Sequence, residues 1–164
     1  LHRDKVAELG NYGYLGAFLI SLIGNATILL IPATVLPVLS AIGVILYPVT
    51  GPVGPITVGL VGGVGAAIGE IAGYTAGYSG RGVVNNNKIY LRLVGWMKRW
   101  GALVIFIVSL APFFFDLAGI AAGVLRLPLW KFILASWLGR TLNYVCVVLL
   151  VAVWGWEAVL RLFG

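Results

Sequence analysis

The chain has 164 residues, of which 61% are hydrophobic and 10% charged, with a mean hydropathy of +1.05. A soluble domain of this length carries far more surface charge, so water is not its main solvent, and the length holds one domain of roughly four to six membrane-entering segments at about 20 apolar residues per crossing. Lys and Arg total 11 against 5 Asp and Glu, mostly between Arg81 and Lys131; this basic stretch suits anionic lipid at a cytoplasmic face, while a chain with so few polar residues offers nucleic acid no solvated surface.

The first apolar stretch, Tyr12 to Ile31, is long enough to span but is interrupted by Gly24, Asn25 and Thr27 and followed by Pro32 and Pro37, so it reads as a broken helix in which Asn25 and Thr27 hydrogen-bond across the break. Val38 to Leu46 is apolar but too short to cross, and it stops at Pro48 before the turn-rich TGPVGP. Entry and return on one membrane face follows. Ile56 to Tyr78 is the first uninterrupted spanning segment, with Gly65, Gly69, Gly73 and Gly77 on one helix face, where small residues let another helix approach closely.

The segment RGVVNNNKIYLRLVGWMKRW mixes Arg81, Lys88, Arg92, Lys98 and Arg99 with Leu91, Val94, Trp96 and Trp100 and contains no acid, the pattern of an amphipathic helix over about 85–100 lying in the cytoplasmic interface. ALVIFIVSLAP is then too short to cross at about 1.5 Å per residue, and FFFDLAGIAAGVLRLP is short again and bounded by Pro128, which predicts a second hairpin. The last run, Leu129 to about Val153, spans and contains Arg140; Trp154, Trp156 and Arg161 anchor its end. Cys146, in VCVVLLVAV, is a small apolar residue and the single cysteine, which excludes an intrachain disulfide or thiolate metal site. The chain opens on Leu1 rather than Met, so a further N-terminal piece is expected; no signal-peptide cleavage pattern follows the first apolar run.

Offset by 80 positions, the chain aligns Pro32 with Pro112, Ala41 with Ala121, Gly43 with Gly123, Val44 with Val124 and Pro48 with Pro128. A hairpin plus a span is thus repeated, at about 12–80 and 101–164, within a single domain over 1–164. One full crossing separates the hairpins, so they dip in from opposite faces. Inverted repeats with Pro- and Gly-broken segments at matching positions point to a midplane binding site in transporters. The predicted class is all-α, polytopic, with two opposed re-entrant helical hairpins shaped by Pro32, Gly43, Pro112 and Gly123.

Three stretches, NATILLIPATVLPVLSAIG, GAAIGEIAGYTAGYSGRG and APFFFDLAGIAAGVLRLPLWKFILASWLGR, resemble the DedA superfamily, also called the VTT or SNARE-associated Golgi protein domain. The resemblance implies a polytopic protein with opposed re-entrant loops, associated with lipid transport or scrambling and, in bacterial members, with proton-linked membrane homeostasis in the plasma membrane. This chain departs from the pattern: Asn25 or its neighbour Gly24 stands where many members carry a glutamate, and Ser109 and Phe115 where they carry arginines, with Asp116 added.

Glu70 lies inside a span, where a carboxylate costs about 3 kcal/mol by insertion scales and so needs a partner or a proton. Asp116, on the second hairpin, faces the same constraint, and Arg140 is the obvious counter-charge, giving a predicted cluster of Glu70, Asp116 and Arg140 that either carries solute or merely fixes helix register. Tyr74 and Tyr78 share the face of Glu70 and, with Arg81, either form a polar path or pack at the interface. Arg126 and Lys131 flank Pro128 and either snorkel as ordinary interfacial residues or draw phosphate groups into the second hairpin.

The leading function is a transporter or lipid scramblase moving a lipid headgroup or small charged solute; the alternative is an assembly protein packing through its glycine face. An intramembrane enzyme is disfavoured, because His2 is the only histidine and no nucleophile stands at a recognisable distance from a base. No cofactor or metal is expected. The expected partners are membrane lipids with anionic headgroups, with protons and a second copy of the chain as further candidates. By the positive-inside rule residues 81–100 are cytoplasmic and the C-terminus is outside.

Overall fold

Two stretches among the described residues are long and apolar enough to cross a membrane, Val53–Tyr78 and Leu129–Trp154, and the other helices pack around them. The computed structural model describes residues 2–26, 32–80, 88–111, 115–155 and 161, without the side chains of 2–7, 9, 26, 32–34, 115 and 116. Among these residues there are eight helices and no strand: α1 (His2–Ala26), α2 (Pro32–Thr50), α3 (Val53–Gly69), α4 (Ile71–Tyr78), α5 (Lys88–Trp100), α6 (Ala102–Ser109), α7 (Phe115–Val124) and α8 (Leu129–Trp154). The all-helical expectation holds.

Helices α3 and α4 form one rod with a distortion at Glu70, where ψ is −14° instead of the about −42° of a regular helix. The hydrogen bonds continue through it: Glu70 N–H donates to Ala66 O at 2.9 Å and Tyr74 N–H to Glu70 O at 3.2 Å. Helix α8 lies antiparallel to this rod, with Gly59 against Val145, Gly63 against Thr141 and Glu70 against Ser136. A Cβ on Gly59 would lie 2.6 Å from Val145 N, and one on Gly63 2.8 Å from Thr141 Cα, so glycine is what lets these backbones meet.

The four-residue glycine stripe serves several neighbours rather than one. Gly65 abuts Phe18 and Leu22 of α1, Gly77 abuts Ile120 of α7, and Gly69 and Gly73 are buried. The seam with α8 uses Gly59 and Gly63, which lie outside the stripe.

The first two helices are longer than the sequence reading expects. Helix α1 has 25 residues and continues through Gly24 and Asn25, so the break at those positions is absent. Helix α2 has 19 residues and passes through Pro37 and Pro48 to Thr50, where the expectation is a short segment ending at Pro48. Pro48 falls in the last turn of α2, so the one ladder bond that its missing N–H removes lies at the helix end, and Thr50 Oγ1 donates to Leu46 O at 2.8 Å. The predicted turn shrinks to Gly51, at φ +60°, and Pro52. Thr27 lies outside the described residues.

Helices α6 and α7 are short, as expected. Their 8 and 10 residues give lengths of about 12 and 15 Å, half of a hydrocarbon core of about 30 Å. Pro112 lies outside the described residues, while Pro32 opens α2. The two copies of the repeat differ locally: α2 runs on through Pro48, whereas α7 stops at Val124 and Pro128 directly precedes α8. What the halves share is their packing, since α1 lies on α3 and α6 on α8, while α2 lies on α8 and α7 on α4.

Helix α5 begins at Lys88, and residues 81–87 lie outside the described set. Its Tyr90, Leu93 and Met97, spaced three and four apart, are buried against the chain, where α5 packs on α7 and α6. Leu91, Trp96, Trp100 and the four basic residues remain exposed. The apolar interior forms two clusters, one containing Ala66, Tyr144 and Val148, the other Tyr74, Phe132 and Ala135. Glu70 falls between Ala66 and Tyr74, and Arg140 between Ala135 and Tyr144.

Candidate functional site

At the junction of the two clusters the rod and α8 bring opposite charges together. Glu70 and Arg140 are each 3% exposed, and Arg140 Nε donates to Glu70 Oε1 at 2.5 Å. Ser136, one turn before Arg140 on the same face of α8, donates its hydroxyl to Glu70 Oε2. Both carboxylate oxygens are therefore held from one helix. A lone charge at this depth is expensive, and a charge-assisted pair with a second donor is the arrangement that offsets the desolvation.

The polar file continues one turn further along α8. Tyr144, buried, accepts a hydrogen bond at its hydroxyl from Asn25 Nδ2 at 3.2 Å; Asn25 Nδ2 also donates to Ser21 O at 2.7 Å, and Ser21 Oγ donates to Gly62 O at 2.6 Å. Asn25 thus ties α1 to α8 instead of bridging a break within α1. Ser136, Arg140 and Tyr144 stand at i, i+4 and i+8, and this one stripe of α8 meets α3, Glu70 at the α3–α4 junction, and α1. Sequence reasoning missed Ser136, Tyr144 and Ser21. The signal available was their four-residue spacing from Arg140, since a hydroxyl in an apolar run is otherwise unremarkable.

The remaining predicted residues take other places. Asp116 is the second residue of α7, and its side chain lies outside the described residues. Tyr74 directs its hydroxyl away from Glu70 and donates to Leu127 O at 2.5 Å, with its ring 5.1 Å from that of Phe132. It therefore fastens the α7–α8 connection to α4 and is not a member of the Glu70 pair. Arg126 sits in that connection at φ +52°, the only non-glycine with positive φ among the described residues.

The bonds around Arg126 explain its conformation. Leu127 N–H donates to Ala122 O at 3.1 Å and Arg126 N–H to Gly123 O at 2.9 Å, a Schellman ending with arginine at the left-handed position usually given to glycine. The Arg126 guanidinium lies 5.0 Å over the ring of Tyr78, which is half exposed. Arg126 and the ends of α4 and α7 therefore share one level. Gly123 presses on the backbone of Tyr74 and Tyr78, and Gly43 on Val148 and Pro55, so both glycines mark places where a helix lies close to one of the two long apolar stretches.

The open spaces lie elsewhere. A groove of about 650 Å³ runs between α6 and α8 and another of about 340 Å³ between α5 and α6, and neither is lined by Glu70 or Arg140. Among the described residues no group of three or more His, Cys, Asp or Glu is placed to hold a metal ion.

Two antiparallel helices long and apolar enough to cross a membrane, closed around an ion pair with short helices packed on both, fit a helical membrane protein. Residues 31–153 match the family model of the VTT domain, and the chain belongs to that family, the DedA family. An uncharacterized protein of Haemophilus influenzae is 27% identical over 101 residues, covering 57% of this chain and 52% of the relative. The chain thus spans about half the length of that curated relative. No solved structure matches.

Proposed function

We propose that the protein moves a lipid headgroup or a small charged solute across the bilayer, with Glu70 and Arg140 as the transient binding site. The observation that carries this reading is the ion pair itself, closed between the two spans at the boundary of two apolar clusters. A buried ion pair often only breaks even as a source of stability, so its presence at such depth argues for use. In the closed arrangement each charge neutralises the other. An anionic group entering from one side takes over Arg140, and Glu70 then needs a proton or a cation.

The movement we propose is a parting of the halves. Helix α2 lies on the span of the second half and α7 on the span of the first, which supports an inverted arrangement in which α1–α2 and α6–α7 enter from opposite faces. The short α6 and α7 suit entry and return on one face; the longer α1 and α2 make the first hairpin the deeper one. Arg126, Lys131 and the basic residues of α5 gather at one end, which we assign to the cytoplasm of a prokaryotic cell. The glycine-packed assembly alternative loses support, because Gly59, Gly63, Gly65 and Gly77 all spend their contacts on the chain's own helices.

The test is headgroup translocation in liposomes holding the purified protein, read with a fluorescent phospholipid and a reducing quencher. Wild type is compared with Glu70→Gln, Arg140→Gln and Ser136→Ala, each checked for retained fold. Loss of translocation in folded variants supports the reading. Unchanged translocation in all three removes the pair from the path, and inactive wild type turns the assay to small-anion flux.

A further inference from the structure

The two grooves beside α6 share a wall. The larger is bounded by Trp100, Leu103, Phe106, Trp130, Leu134 and Leu138, the smaller by Trp96, Trp100, Leu103 and Ile107. Trp100 and Leu103 belong to both, so the grooves flank α6 and converge at its first turn. A cation stands over an indole at the same end of each: Arg99 lies 5.8 Å over Trp100, and Lys131 Nζ lies 5.5 Å over Trp130 and also lines the larger groove. Trp96, Trp100, Trp130, Arg99 and Lys131 are all exposed.

We infer that this is a docking site for an anionic phospholipid, one acyl chain in each groove across α6 and the phosphate between Arg99 and Lys131. Indole rings with a polar edge belong at headgroup depth and apolar walls below them at acyl depth, which is the order found from Trp100 down to Leu138. The volumes fall in the range that holds a small ligand. Charge selects the class of lipid: among residues 81–131 there are seven Lys and Arg and one acid, Asp116, so the mouth of the site offers cations and asks for a net negative headgroup. A second copy of the chain would bring the same +6 and be repelled. The site does not depend on the Glu70–Arg140 reading, since neither residue lines it.

The experiment places the full chain in liposomes containing phosphatidylglycerol or phosphatidylcholine with a photoactivatable group in the acyl chain, then maps the labelled peptides. The expected result is severalfold more labelling from phosphatidylglycerol within 103–107 and 130–138 than from phosphatidylcholine, lost in the Arg99→Gln, Lys131→Gln double variant and restored by Lys131→Arg with Arg99 intact. Both side chains are exposed, so the variants leave the fold alone. Equal labelling by the two lipids, or a preference that survives loss of both cations, overturns the proposal and leaves only ordinary lipid contact.

Discussion

Arg140 and Ser136 grip the two oxygens of Glu70 from successive turns of α8, so the carboxylate is oriented as well as neutralised. Removing one charge leaves the other buried without its counter-charge, which costs about 3–5 kcal/mol, whereas replacing both with apolar residues costs less than either single change. Unfolding of Glu70→Leu, Arg140→Met and the double variant in detergent should show this order. Ser136→Ala should lie well below either single change, at about 1.5–3 kcal/mol for a hydrogen bond to a charged group.

Glycines at the helix crossings should divide sharply by what a Cβ would meet. Gly77→Ala and Gly123→Ala drive a methyl into the carbonyls of Ile120 and Tyr74, and Gly59→Ala into the backbone of Val145. Each should lower stability by about 1–3 kcal/mol through overpacking. Gly16→Ala on α1 meets nothing within 4 Å and should instead be stabilising by about 0.5–1 kcal/mol through helix propensity. Thermal midpoints of the four variants measured side by side check the contrast.

At Arg126 a backbone cost and a side-chain gain oppose each other. Left-handed backbone costs a non-glycine residue about 1–2 kcal/mol, while the guanidinium over Tyr78 returns about 0.5–1 kcal/mol at an exposed ring. Arg126→Ala keeps the cost and loses the gain; Arg126→Gly loses both. The glycine variant should therefore unfold later than the alanine variant by about 1 kcal/mol or more, and with Tyr78→Leu in the background Arg126→Gly should exceed its parent.

Topology can be read with single cysteines in a Cys146→Ser background. If α1 and α2 enter and leave on one face, Glu8→Cys and Val53→Cys label from the same side of sealed vesicles, and Lys88→Cys and Arg126→Cys from the other. Labelling of Glu8→Cys from the Lys88 side would mean that α1 and α2 each relate to the membrane differently, and the opposed-hairpin reading would fall.

Much of this arrangement is legible in the chain as written. Unbroken apolar length predicts the two spans, and the shortness of the runs around Pro112 predicts α6 and α7, because bilayer thickness is an external ruler against which sequence can be measured. The pairing of Glu70 with Arg140 follows from the cost of either alone. What escapes is anything decided by partners rather than by length. Pro48 and Asn25 read as interruptions, yet α2 tolerates the first in its last turn, and α1 continues through the second because Tyr144 and Ser21 satisfy its amide. The glycine periodicity predicts close approach but not that α1, α7 and α8 divide it. Tyr74 shares the helix face of Glu70, and only the placement of Leu127 turns its hydroxyl away.

The 70 positions between Glu70 and Arg140 also set an order of events during synthesis. At roughly 5–20 residues per second, the ribosome delivers Arg140 about 4–14 s after Glu70. Throughout that interval the first span carries an acid whose cation has not yet been made. The nascent segment must wait beside the insertion machinery, or enter the bilayer with its carboxyl protonated, until α8 arrives to claim it; the ion pair is thus a condition on the timing of assembly as well as a feature of the finished protein.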